Sequence, residues 1–339
     1  MKKILVFATN WLGDTLFLFP LLDGLRHNFR QSSLAVVSVP RVKGIFANNR
    51  NVEEIIVYDE KGRHRGLFSR IALISQLRKK GFDTAFMIKP SLSRALILKL
   101  AGIKEIIGFA NPKSGWLLTK QIPQPDKALH KIDSFLSILQ HLKFKVEQRR
   151  YEFLPYQEEK THIENLLRKK GFNPDLPLLV INPGANWFPK RWPPENFAEL
   201  VKRLKSGFRL NVAITGAEKD RELSGKIIEQ SGADILDFTG QTTFGQLGAL
   251  MQRADIVISA DSGPMHIAAA VGKKVIALFG PTSAKLTGPY PPEEHIIIQG
   301  KPEDCRVPCY DSSCRDYRCM KSITVDEVFQ KVTQLLKVK

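Results

Sequence analysis

Short β-rich runs alternate with helical segments along this whole sequence, and that alternation restricts the fold more than any single motif. In the first half the runs fall at 4–8, 34–39, 54–58, 84–88 and 106–109, with helical segments at 67–80 and 91–100. The second half repeats the pattern, with runs at 178–182, 211–215, 235–238, 256–260 and 275–279 and helical segments at 194–205, 218–231, 243–252 and 264–271. Strands separated by helices must pair in parallel through right-handed crossovers, which predicts an α/β chain of two doubly wound, Rossmann-like domains. The join is expected where an extended stretch, 151–155, leads into a charged helix, 158–170, and then into the breaker Asn173-Pro174-Asp175-Leu176-Pro177. The predicted boundaries are therefore 1–155 for the first domain, 156–177 for a linker, 178–324 for the second domain and 325–339 for a closing amphipathic helix.

At 339 residues the chain is long enough for two domains, and 43% hydrophobic with 25% charged residues reads as globular. No apolar run approaches the roughly 20 residues of a membrane span. The apolar start at Ile4 meets Asn10 and Asp14 at once, so it reads as a first strand rather than a secretory leader, and a cytoplasmic address follows by default. The formal charge of +17 calls for a negatively charged partner: nucleic acid, anionic lipid or a phosphorylated substrate. Basic residues crowd the first half, among them Arg41, Arg63, Arg65, Arg78, Lys89, Arg94 and Lys99, but they are scattered, with no helix-turn-helix or RNA-binding aromatic signature, so nucleic acid is not expected. Four cysteines, Cys305, Cys309, Cys314 and Cys319, share one tail segment with spacing C-x3-C-x4-C-x4-C. That spacing lacks the C-x2-C pairs of common zinc ribbons; a metal site, a disulfide and a reduced structural loop all remain open.

Ligands of doubly wound sheets sit beyond the carboxyl ends of the strands, so the loops there are the candidates for chemistry. Asp261-Ser262-Gly263-Pro264-Met265-His266 joins a strand to a helix. Pro264 suits the first helical position, Gly263 allows close backbone approach, and the Met265 and His266 amides with the helix dipole behind them would hold a diphosphate. Asp261 could grip a sugar hydroxyl beside it. An ordinary N-cap and turn would use the same residues. Asn10-Trp11-Leu12-Gly13-Asp14 ends the first strand, and Asp14 is a candidate general base or a helix cap. The loop is not G-x-G-x-x-G, which speaks against a dehydrogenase. The segment from Asn182 to Pro193 carries Gly184, Lys190 and Arg191, and either cation could neutralise a diphosphate leaving group. Asp220, after another strand, stands where acids take ribose hydroxyls.

Taken together these residues resemble glycosyltransferase family 9, the lipopolysaccharide heptosyltransferases. The resemblance rests on Gly13-Asp14 with Pro20 six residues on, Pro183-Gly184 followed by Lys190-x-Trp192-Pro193, and Asp261-Ser262-Gly263-x-x-His266. The run from Ser91 through Arg94 to Leu96, with Ala101-Gly102-Ile103 and Gly108-Phe109, adds to it, and the order spans nearly the whole chain. Pro308-Cys309 and Cys319-Met320 resemble the heptosyltransferase II branch.

The resemblance implies a GT-B fold, two Rossmann-like domains facing across a cleft, with acceptor on the first and ADP-heptose on the second. It implies inverting transfer to the inner core of lipopolysaccharide, with Asp14 as base and Lys190 on the donor phosphate. Asp220 would take the ribose, Asp261 the heptose, and Ser262, Gly263, Met265 and His266 would border the diphosphate. Gly13, Gly184 and Arg94 complete the implied substrate contacts, with no cofactor and no metal. The implied partners are ADP-heptose, a lipid A/inner-core glycolipid and the anionic inner leaflet, placing the protein at the inner face of the inner membrane as a peripheral protein. The alternatives are a glycosyltransferase with another nucleotide sugar and a GT-B nucleotide-sugar epimerase. One departure stands out: Ala185-Asn186-Trp187-Phe188 occupies a loop where the family often carries Ser or Thr.

Overall fold

The computed structural model describes residues 2–336 and divides into two units, Met1–Tyr151 and Glu152–Lys339. The first unit runs β1 (Lys3–Phe7), α1 (Leu12–Phe17), α2 (Phe19–Asn28), β2 (Ser33–Ser38), α3 (Lys43–Ala47), β3 (Glu54–Val57), α4 (Leu67–Lys80), β4 (Thr84–Met87), α5 (Leu92–Leu100), β5 (Glu105–Phe109), β6 (Lys120–Ile122) and α6 (Lys131–His141). The second runs α7 (Gln157–Lys169), β7 (Leu178–Asn182), α8 (Pro194–Gly207), β8 (Asn211–Ile214), α9 (Arg221–Ser231), β9 (Leu236–Asp237), α10 (Phe244–Arg253), β10 (Ile256–Ala260), α11 (Gly263–Ala270), β11 (Val275–Phe279), α12 (Ala284–Thr287), β12 (Ile296–Gln299), α13 (Arg318–Lys321) and α14 (Val325–Leu336).

Each unit holds one six-stranded sheet, ordered β3-β2-β1-β4-β5-β6 in the first and β12-β11-β10-β7-β8-β9 in the second. All pairings are parallel, for example Val6 opposite Val36 and Phe86, and Ile181 opposite Ile258 and Ile214. The expectation of two doubly wound α/β domains is met. Both orders reverse direction beside the unit's first strand, between β1 and β4 and between β7 and β10, and those are the positions where ligands bind. The sequence reading missed β6 and β12, each at one edge of its sheet, and it placed Asp14 as a possible cap of the following helix, whereas α1 already begins at Leu12.

The central strands are buried on both faces, as parallel sheets covered by helices require. One core gathers Leu5, Phe7, Val37, Ile56, Leu77 and Met87; the other gathers Ile181, Phe197, Ile258, Leu278 and the indole of Trp192. Trp192 is fully buried, and its Nε1 donates to the Ile323 carbonyl at 2.9 Å, which satisfies its polar atom. Local signals explain the helix ends. Thr243 Oγ1 accepts from Gln246 N while Gln246 Oε1 accepts from Thr243 N, a capping box that starts α10. Gly81, at φ +67°, closes α4 in the left-handed conformation that glycine adopts without strain.

The segment 156–177, expected as a linker, is integral to the second unit. Ile163 and Leu167 of α7 are buried, α7 packs on α10, and Asn211 Nδ2 pins the breaker by donating to the Asn173 and Leu176 carbonyls. The closing helix also belongs there, burying Val328 and Val332 against α8 and β11. Among the described residues no helix is long and apolar enough to cross a membrane.

Candidate functional site

In the first unit the loop Asn10–Trp11 leaves β1 at the strand-order reversal, and two arginines clamp it. Arg94 projects inward from the first turns of α5 and is buried. Its Nη1 donates to the Ala8 carbonyl at 3.4 Å, and its Nη2 to Asn10 Oδ1 at 3.0 Å and Glu60 Oε1 at 3.3 Å. The guanidinium lies 4.9 Å from the Phe7 ring centroid. Arg41 donates from Nε to the Asn10 carbonyl at 2.6 Å and stacks 4.0 Å over the Trp11 ring. Arg94, expected among substrate contacts, thus ties the loop that leads to Asp14 to Glu60.

Gly13 and Asp14 sit in α1, and the Asp14 carboxylate is 19% exposed. Its Oδ1 is 2.9 Å from the Nζ of Lys131, which opens α6. The geometry gives a reachable carboxylate oriented by an ammonium, an arrangement able to accept a proton from a hydroxyl.

In the second unit the reversal lies between β7 and β10, and a cluster of polar side chains closes on it. Asp261 directly follows β10 and is 6% exposed. Its Oδ2 receives Lys190 Nζ at 2.6 Å and Thr282 Oγ1 at 2.5 Å, so three strands' carboxyl ends contribute to one knot. Lys190, at the end of a short 3-10 turn (Phe188–Lys190), also lies 4.8 Å over the Trp187 ring. Asn182, the last residue of β7, directs Nδ2 at the Gly184 carbonyl (3.2 Å), Ser259 Oγ (3.2 Å) and Ser262 Oγ (2.9 Å). Its Oδ1 is buried with no hydrogen-bond partner.

The helix α11 starts at Gly263, so Pro264 falls in its first turn and Ser262 is the N-cap. This is one residue earlier than the sequence suggested. The first-turn amides, those of Gly263 and Met265, have no acceptor within the helix. Met265 and His266 are buried. An anion placed at this end meets amide hydrogens, the helix dipole and the Lys190 ammonium together.

Asp220 is buried beside the same turn. Its Oδ2 accepts from Ala217 N at 3.0 Å, and its Oδ1 is 3.5 Å from Arg191 Nη2 but receives no hydrogen bond. A Cβ on Gly184 would lie 2.7 Å from Asp220 Oδ2, so glycine is what lets the Pro183–Gly184 turn pass the carboxylate. Lys190, Asp261, Ser262, Gly263 and Gly184 therefore gather around Asn182, while Asp220 supports the turn from behind. The sequence reading missed Asn182, Thr282, Lys131, Arg41 and Asn10.

The four tail thiols are free; Cys309 is exposed and Cys319 buried. Burial pushes the Cys319 thiol up to about 11. Among the described residues no group of three or more His, Cys, Asp or Glu is arranged to hold a metal ion.

Comparison with known proteins matches residues 70–315 to the model of glycosyltransferase family 9 (heptosyltransferase). A Campylobacter jejuni lipooligosaccharide heptosyltransferase 2 is 26% identical, over 99% of this chain and 98% of that protein. The crystal structure of a family 9 glycosyl transferase from Veillonella parvula superposes with a TM-score of 0.88 at 24% identity, covering 100% of this chain and 98% of the other. The Escherichia coli ADP-heptose lps heptosyltransferase II superposes with a TM-score of 0.80 at 23% identity, covering 99% and 98%.

Proposed function

The chain belongs to glycosyltransferase family 9, and from that premise we propose that it transfers heptose from ADP-heptose, with inversion, to the inner core of a lipopolysaccharide acceptor. The observation that carries this reading is the Lys190–Asp261–Thr282 knot beside the start of α11. A nucleoside diphosphate sugar needs a cation and amide donors for its phosphates and an acceptor group for its sugar hydroxyls. The knot supplies all of these within one loop cluster.

In this mechanism an acceptor hydroxyl attacks the anomeric carbon while its proton passes to the Asp14 carboxylate, which Lys131 holds by the other oxygen. The new carbon–oxygen bond forms as the bond from the anomeric carbon to the phosphate oxygen breaks. ADP leaves with that electron pair. Charge grows on the diphosphate during the step, and Lys190 with the Gly263 and Met265 amides meets it there. Each such donor is worth about 3–4 kcal/mol in the transition state. Asp261 holds heptose hydroxyls, kept rigid by Lys190 and Thr282. Asp220, whose Oδ1 is buried, serves the ribose side through Arg191 and the Gly184 turn that it fixes. Arg94 acts through the Asn10 loop. The Ala185–Phe188 loop offers no hydroxyl, so phosphate binding falls more heavily on Lys190 and α11.

The relatives named lipooligosaccharide and lipopolysaccharide heptosyltransferase 2 support an acceptor of the lipopolysaccharide class. An acceptor borne on lipid supports our reading of a cytoplasmic enzyme working at the inner face of the membrane. A thermal-shift screen against ADP-, UDP-, GDP- and CMP-sugars tests the donor. ADP-heptose is expected to stabilise the protein and the others not, and a larger shift with any other nucleotide sugar refutes the assignment. Mass analysis of product with a heptosylated acceptor then tests transfer against mere epimerisation of the donor.

A further inference from the structure

The first unit displays an apolar surface that neither its core nor its candidate site uses. On α4, Phe68 is 88% exposed and Leu67 70%, with Ile71 one turn on; the buried residues of the same helix, Leu73 and Leu77, lie on its other side. On α5, Leu92, Leu96 and Leu100 recur at four-residue spacing as one exposed stripe, while Ala95 and Leu98 face the core. The two helices are neighbours, tied where Arg78 Nη2 donates to the Leu100 carbonyl at 2.5 Å. The turn that carries Trp116, 72% exposed, packs against α5. A helix that buries one apolar face and shows another is not explained by its own core.

The surrounding charge identifies the occupant. Between residues 61 and 120 there are thirteen Lys and Arg against two acids, Asp83 and Glu105. Lys61, Arg63 and Arg65 lead into α4, Lys89 precedes α5, Lys99 adjoins Leu100, and Lys113 precedes the Trp116 turn; all six are exposed. Rings and leucines rimmed by cations are the composition of a surface that enters the boundary between headgroups and acyl chains. A second copy of the chain would bring like charges together on this face.

We propose that α4, α5 and the Trp116 turn seat the first unit on an anionic bilayer, with Leu67, Phe68, Leu92 and Trp116 inserted among the lipids. Both helices begin at the carboxyl edge of the sheet, the edge from which the Asp14 loop leaves β1, so seating brings that edge to the lipid. The inference deepens the functional reading, from which it takes only the membrane-borne acceptor.

Cosedimentation of the full chain with phosphatidylethanolamine–phosphatidylglycerol vesicles tests it, with phosphatidylcholine vesicles as control. Wild type is expected on the anionic vesicles only. Leu67→Ser/Phe68→Ser and Trp116→Ala are each expected to lower the partition coefficient by about tenfold or more. Their transfer to a water-soluble, deacylated acceptor should equal wild type. Variants that sediment as wild type, wild-type binding that ignores lipid charge, or a lipid-free dimer that Leu67→Ser/Phe68→Ser dissociates would each overturn the proposal. A wild-type protein that binds the vesicles but ignores ADP-heptose would instead sink the functional reading alone.

Discussion

Replacing Lys190 by Met separates the stability of the donor site from its chemistry. Asp261 is 6% exposed and Lys190 18%, so the variant strands a buried carboxylate with the Thr282 hydroxyl as its partner in the knot. Removing one member of a buried ion pair costs about 3–5 kcal/mol. The surviving hydroxyl bond, worth about 1 kcal/mol, offsets part of that and leaves an expected loss of about 2–4 kcal/mol. Adding Asp261→Asn removes the stranded charge, and the double variant should return to within about 1 kcal/mol of wild type. Turnover should not follow stability. Loss of the ammonium should lower kcat by about 10²–10³ in the single and the double variant alike. Urea unfolding followed by tryptophan emission, with Trp11 and Trp116 replaced by Phe so that Trp187 and Trp192 report the second unit, reads the stability, and initial rates of ADP release read the chemistry. A double variant as unstable as Lys190→Met would show that no buried charge had been stranded. A kcat within about threefold of wild type would remove Lys190 from the diphosphate.

Asp14→Asn should abolish transfer and leave the calorimetric affinity for ADP unchanged; turnover near wild type would exclude Asp14 as the base. Gly184→Ala should destabilise by about 1–3 kcal/mol, since its Cβ meets Asp220 Oδ2 at 2.7 Å, and the penalty should shrink in an Asp220→Ala background. Equal penalties in both backgrounds would refute that contact. Burial holds His295 below the ordinary histidine range, so it stabilises the fold above the unfolded value near about 6.5, and that share is lost as pH falls from there toward the folded value. His295→Gln should therefore flatten the decline of the unfolding midpoint below about pH 6.5; an unchanged slope would assign it to other groups. With its thiol pushed to about 11, Cys319 should react with a maleimide or disulfide reagent far more slowly than exposed Cys309, and peptide mapping of partially labelled native protein would show any reversal.

Much of the architecture was legible because strands buried on both faces must be written as continuous apolar runs, as Leu178–Asn182 and Val275–Phe279 are. The strands that escaped, β6 and β12, each lie at one margin of a sheet, while β3 and β9 at the opposite margins were legible. Lys120–Ile122 is three residues long with two of them polar, and Ile296–Gln299 follows a proline-rich stretch where only the four-residue α12 and a single 3-10 turn precede it. A helix after Asp14 was foreseen but not its bounds: α1 starts before Asp14, and Pro20 falls in the first turn of α2, where proline is tolerated. Asp14, Lys190 and Asp261 could be picked out because each follows a recognisable strand. Their partners could not. Lys190 meets Asp261 across 71 residues of sequence and Asn182 meets Ser262 across 80, contacts that exist only once β7 has paired with β10. The internal partners of Arg94 were hidden for the same reason, since Ala8, Asn10 and Glu60 lie 86, 84 and 34 residues away in sequence.

Asn182 ties the proposed donor site together through one primary amide, a group that can hydrolyse to the acid. Asparagine deamidates when the next residue's backbone nitrogen attacks the side-chain carbonyl and closes a cyclic imide. The next residue here is Pro183, whose nitrogen bears no hydrogen to give up, so that route is shut. Hydrolysis to aspartate would turn a carboxylate toward the Gly184 carbonyl and the hydroxyl oxygens of Ser259 and Ser262, oxygens that now accept from the amide. The proline that ends the strand thereby also preserves the molecule against the one-atom change its donor site could least absorb.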